Sequence, residues 1–100
     1  MTVRRMLSYR VYVNDTPQRI AIGGDPVHVS AIRLGFGPDA PHVVQFWAEG
    51  SLEEPGTPRT FQVFGTGHPL PPGARWRGTT ERTPEGLVWH LYELPDPGES

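Results

Sequence analysis

Apolar and polar residues alternate with a period of two from the start of the chain. Leu7, Tyr9, Val11 and Val13 fall on one side of an extended backbone and Ser8, Arg10, Tyr12 and Asn14 on the other, which predicts a half-buried strand. Asn14-Asp15-Thr16-Pro17 supplies turn chemistry: Asx side chains bond their own backbone, and proline presets φ. Ile20 and Ile22 then share a face, so the two segments are expected to pair as a hairpin. After the turn Gly23-Gly24-Asp25-Pro26, Val27, Val29 and Ala31 lie on one side but Ile32 and Leu34 on the other. That slip of phase near Ser30 to Ile32 predicts a β-bulge.

The second half continues in the same way. Val43 to Glu49 is apolar on both faces, as a central strand would be. Gly50 to Pro58 reads as the tip of a long hairpin, with its partner at Arg59 to Gly65. A long loop, Gly65-Thr66-Gly67-His68-Pro69-Leu70-Pro71-Pro72-Gly73, precedes a short strand over Ala74 to Thr79, in which Arg75 and Arg77 oppose Trp76. Leu87 to Glu93 is a last strand, again largely apolar on both faces. Twelve glycines and twelve prolines punctuate the junctions and leave no room for helical bundles or coiled coils. The expected fold is all-β, a small antiparallel β-sandwich or partly open barrel of about six to seven short strands. Its expected organisation is an N-terminal extension over 1–6, a single β domain over 7–94 and a polar tail over 95–100.

Composition narrows the function classes. One hundred residues provide for one core. A net charge of −2 gives no support to binding of a nucleic-acid backbone through counterion release. With no cysteine there is no disulfide framework, thiolate metal site or cysteine nucleophile. No apolar run has the length of a membrane span, and Met6 to Arg10 is too polar for a signal core, so the expectation is a protein of the cytoplasm with no membrane partner. Every basic residue is arginine, a bias that fits a GC-rich genome such as that of an actinobacterium or its virus.

Phe46-Trp47-Ala48, the run from Arg59 through Gly65-Thr66-Gly67-His68-Pro69 to Pro71, Gly78-Thr79 and Leu87 to Tyr92 with its Val-Trp-His occur in this order. This resembles a family of small tailed-bacteriophage proteins of unknown function, over roughly Leu7 to Glu93. The resemblance implies a phage or prophage gene and transfers no catalytic residue.

Catalytic patterns are missing. Gly65-Thr66-Gly67-His68 has glycines like a phosphate loop, but no Lys-Ser/Thr follows and Pro69 and Pro71 forbid the helix such a loop requires. The glycines suit a tight turn instead, with His68 bonded to loop carbonyls. His28, His42, His68 and His90 have no short metal-ligand spacing. The serines lie in no nucleophile elbow, and Glu53, Glu54, Glu81 and Glu85 fall in loops, where carboxylates are expected to be solvated. The expectation is therefore no catalytic residue, no metal and no cofactor.

Trp47, Trp76 and Trp89 are large anchors for a small chain, and a domain of this size leaves at least one indole partly exposed. His90 is expected as a satisfied polar residue on a sheet face. Candidate binding residues are His68, Arg75, Trp76, Arg77, Trp47 and His90, since Trp and Arg dominate interface hot spots. The arginines face away from Trp76 on a strand, which argues against a stacking platform for single-stranded nucleic acid.

The leading expectation is a non-enzymatic phage or prophage accessory protein that binds a host or phage protein in the host cytoplasm. One alternative is a sponge-like binder of a small nucleotide-type signal; another is a virion decoration or other structural component. Self-pairing of an edge strand into a homo-oligomer is consistent with any of these.

Overall fold

A computed structural model describes residues 3–95, which form seven strands: β1 (Arg5–Tyr12), β2 (Gln18–Ile22), β3 (Pro26–Arg33), β4 (His42–Gly50), β5 (Thr57–Gly65), β6 (Arg75–Thr79) and β7 (Trp89–Leu94). They form two antiparallel sheets of order β1-β4-β3 and β2-β5-β7-β6, a small open β-sandwich. The shortest dimension, 19 Å, is that of two layers. Residues 96–100 of the expected tail, and Met1 and Thr2 of the expected extension, lie outside the described residues.

Alternation delivers the core. Val11, Val44, Phe46 and Ala48 point inward from the first sheet, and Ile22, Phe61, Val63 and Leu91 from the second, all buried. Phe46 is the hinge of this packing: its ring lies 5.2 Å from Tyr9 and 5.0 Å from Phe61 across the gap. Each such phenyl contributes about 1.5–3 kcal/mol through burial. At one edge the sheets approach so closely that a Cβ on Gly78 would collide with Val29 Cγ2 and Cβ. Only glycine fits there.

The first expected hairpin does not form. β1 pairs with β4, and β2 pairs with β5 in the other sheet. The Gln18 side chain explains the parting: its Oε1 accepts from Tyr12 N at 2.7 Å and its Nε2 donates to Tyr12 O at 2.9 Å, taking the place of a neighbouring strand. The long hairpin expected around Gly50 to Pro58 is likewise a crossing between sheets, because β1 and β3 already occupy both edges of β4. The bulge expected at Ser30 to Ile32 lies instead between Pro26 and His28. No phase slip is needed further on, since Ile32 pairs with Val43 on the outer face, where Val43 is itself buried. β1 also begins two residues before the alternation suggests, with Arg5 and Met6 paired to Gly50 and Glu49. β7 starts at Trp89 rather than Leu87, whose N–H is held at 3.0 Å by Thr83 Oγ1 in the preceding turn.

One connection shapes everything that follows. β5 and β6 run in the same direction with β7 antiparallel between them, so residues 66–74 must cross back over a face of the sheet. Gly65 is level with Trp89 and Arg75 with Glu93, a span of about 13 Å at strand rise. Pro69, Pro71 and Pro72 favour the extended backbone such a strap needs. Turns at each end, His68 N to Gly65 O at 3.2 Å and Ala74 N to Pro71 O at 3.2 Å, take up the slack.

Candidate functional site: the outer face of the second sheet

Phe64, His90 and Tyr92 alternate with the core residues of β5 and β7 and therefore face away from the core. The strap covers them. Phe64 is buried despite its outward position, with its ring edge-on to Tyr92 at 5.7 Å. A shallow cavity of about 260 Å³ remains beneath the strap, lined by Phe64, Thr66, His68, Leu70, His90 and Tyr92.

A chain of hydrogen bonds runs across this face. Trp76 Nε1 donates to Thr79 Oγ1 at 2.9 Å, Thr79 Oγ1 lies 3.0 Å from His90 Nδ1, and His90 Nε2 lies 2.8 Å from Thr66 Oγ1. An indole can only donate, so Thr79 Oγ1 accepts there, and its exchange with His90 Nδ1 follows the tautomer of the imidazole. The chain ties the edge strand, through β7, to the strap. Trp76 is 60% exposed, and its indole N–H is bonded to Thr79.

The opposite face of the same strands carries charge. Glu93 accepts from Arg59 Nε at 2.7 Å and from Arg77 Nε at 2.9 Å, and Arg59 Nη2 also reaches Asp25 at 2.7 Å. The side chains of Arg59, Glu93 and Arg77 are only 17%, 17% and 21% exposed. The hydrogen bond from Arg59, followed by the one from Arg77, holds the Glu93 carboxyl below the usual carboxylate range although burial opposes this. Arg59 is raised in turn, chiefly by Glu93.

These networks divide the candidate residues. Trp76 and His90 are brought together through Thr79, and His68 lines the same cavity as His90. Arg77 is turned to the inner face and engaged with Glu93. Arg75, exposed, is level with Glu93 on that same side. Trp47 stands apart: it pairs with Ser8 and His28 on the outer face of the other sheet, its ring 5.3 Å from His28. The His68 ring does not bond a loop carbonyl but packs on Gly65, where a Cβ would lie 3.0 Å from its Cε1. Gly67 supplies the positive φ of the turn, at 87°. Glu85, expected to be solvated, pairs with Arg33 at 3.0 Å.

Sequence reasoning missed Thr66, Thr79 and the Arg59–Glu93 pair. Thr79 opposite His90 becomes visible only once register is known. Among the described residues, no group of three or more His, Asp or Glu is placed to hold a metal, and no helix is long and apolar enough to cross a membrane.

The architecture of the described residues is that of a strapped, seven-stranded β-sandwich with an exposed, hydrogen-bonded tryptophan on one edge strand. The chain belongs to the family described as a domain of unknown function, DUF7352, which it matches over residues 2–100. No curated protein and no solved structure matches it.

Proposed function

We propose that the protein is a non-enzymatic accessory protein of a phage or prophage that grips a host protein through the face formed by Trp76, His90 and the strap. The observation that carries this reading is the Trp76 indole, exposed and already fixed by Thr79. Tryptophan is the residue most enriched at interface hot spots, and one whose pose is set beforehand loses less freedom when a partner closes on it. Leu70, itself exposed, and His68 extend the contact along the strap. The Gly-Thr-Gly-His-Pro run on which the phage resemblance rests is this strap, and the phage setting in the host cytoplasm is proposed from that resemblance alone.

Capture from host lysate on immobilised protein tests the proposal, with each bound protein quantified. The Trp76→Ala protein is expected to lose a partner that the Trp47→Ala protein keeps, since Trp47 lies on the other sheet. Identical capture by both variants overturns it.

A further inference from the structure

The four edge strands differ in how they are closed to further pairing. β3 opens with Pro26 and carries the register shift before His28; β6 carries a shift between Trp76 and Gly78; β2 has only five residues. Bulges, prolines and shortness all discourage strand addition. β1 has none of these: eight residues, no proline and unbroken register with β4.

Its free backbone groups can be assigned. Tyr12 N and O point to the open edge, because Gln18 meets them there, while Val13 N turns to His42 O of β4. Antiparallel pairing alternates from residue to residue, so Met6, Ser8 and Arg10 also present N–H and C=O outward. All three are exposed, and among the described residues no other strand pairs with this edge.

We infer that β1 pairs antiparallel with β1 of a second copy, with Ser8 opposite its own counterpart, joining two three-stranded sheets into one of six. Around that two-fold axis Met6 meets the second copy's Arg10, Arg4 meets Tyr12 and Arg5 meets Val11. Every open N–H and C=O from Met6 to Arg10 is used, no arginine faces another, and the Gln18 clamp on Tyr12 marks where pairing stops. A slip one way sets Arg4 against Arg10, a like-charge pair that destabilises a ladder. A slip the other way asks Met6 to bond Tyr12, whose groups Gln18 already holds. The self-complementary register is thus singled out by hydrogen bonding and charge together. β1 packs over β5, and β3 over β6, so this edge lies across the sandwich from Trp76 and the inference stands independently of the proposed function.

The absence of cysteine makes the test clean. Mild oxidation of the full-length Ser8→Cys protein is expected to give a disulfide-linked dimer. Met6→Cys alone does not cross-link, whereas a mixture of the Met6→Cys and Arg10→Cys proteins does. In sedimentation velocity the unaltered protein is a dimer. Ser8→Pro removes an N–H not used in pairing with β4 and should weaken the dimer by about tenfold or more while leaving the circular dichroism of the fold unchanged. Cross-linking of Met6→Cys to itself, or a dimer indifferent to Ser8→Pro, overturns the inference. So does a monomer at all concentrations, which gives the edge to a strand from another protein.

Discussion

Two polar networks share β6 and β7, one on each face of the same sheet. On the inner face Arg59, Glu93 and Arg77 are charged and mostly withdrawn from water; on the outer face Trp76, Thr79, His90 and Thr66 form a chain of hydrogen bonds. Neighbouring residues of β6 are thereby divided between tasks. Arg77 is bound to Glu93 on the inner face, and Trp76 is presented to solvent. Breaking a buried ion pair strands charge away from water, while breaking a hydrogen bond at the surface lets water replace the lost partner. The inner network should therefore govern stability, and the outer one should govern contact with a partner.

Glu93→Ala gives the largest expected effect. It leaves Arg59 with only the exposed Asp25 and Arg77 with no carboxylate in contact, half-buried in each case. A loss of about 2–3 kcal/mol is expected, allowing for residual exposure, or roughly 10–20 °C in melting temperature. Urea denaturation read by circular dichroism measures it. A loss no greater than that of a surface substitution would put the inner network on the same footing as the outer one.

Acid titration makes a smaller version of the same change. The folded Glu93 carboxyl titrates below its ordinary value of 4.5, so its contribution is complete above that pH and is lost as pH falls through the folded value. Protonation costs less than deletion because a neutral carboxyl still fills the site and accepts hydrogen bonds. Asp25 is lowered in the same direction by Arg59, but its side chain is 69% exposed and its contribution is screened. Unfolding midpoints from pH 7 down to about 3 should therefore fall less steeply in Glu93→Gln than in the unaltered protein. Parallel curves would remove Glu93 from the account.

What the sequence revealed follows the same division between local and distant information. Strand positions and the all-β class are legible because alternation and Gly or Pro junctions are local. Sheet membership is not: Asn14 to Pro17 has the same turn chemistry whether the chain folds back on its own sheet or crosses to the other, and the Gln18 amide decides the matter only in three dimensions. The exposure of one indole was legible from size alone, since a small domain cannot bury three. The pairing of Arg59 with Glu93 joins residues far apart in sequence, and Arg77 resembles Arg75 in sequence although Arg75 is the one level with Glu93: Arg77, at the register shift between Trp76 and Gly78, makes the bond and Arg75 stays exposed. The strap was recognisable as unusual from its glycines and prolines, but its course depends on β7 lying between β5 and β6.

Thr79→Val has the smallest expected effect on stability and the sharpest on the comparison. The substitution keeps a β-branched side chain on the edge strand and removes the hydroxyl that accepts from Trp76 and serves His90 Nδ1. Thr79 is exposed, so water can take over both bonds and the cost should stay near or below about 1 kcal/mol. The outer chain is nonetheless cut at its centre. Nitrogen chemical shifts of the His90 ring should differ between the unaltered protein and the variant, because Nδ1 loses its Thr79 partner. Exchange of the Trp76 indole proton should quicken in parallel. Unchanged ring-nitrogen shifts with unchanged indole exchange would mean that Trp76 is held by packing alone, and the contrast between the two faces would then rest on burial rather than on hydrogen bonding.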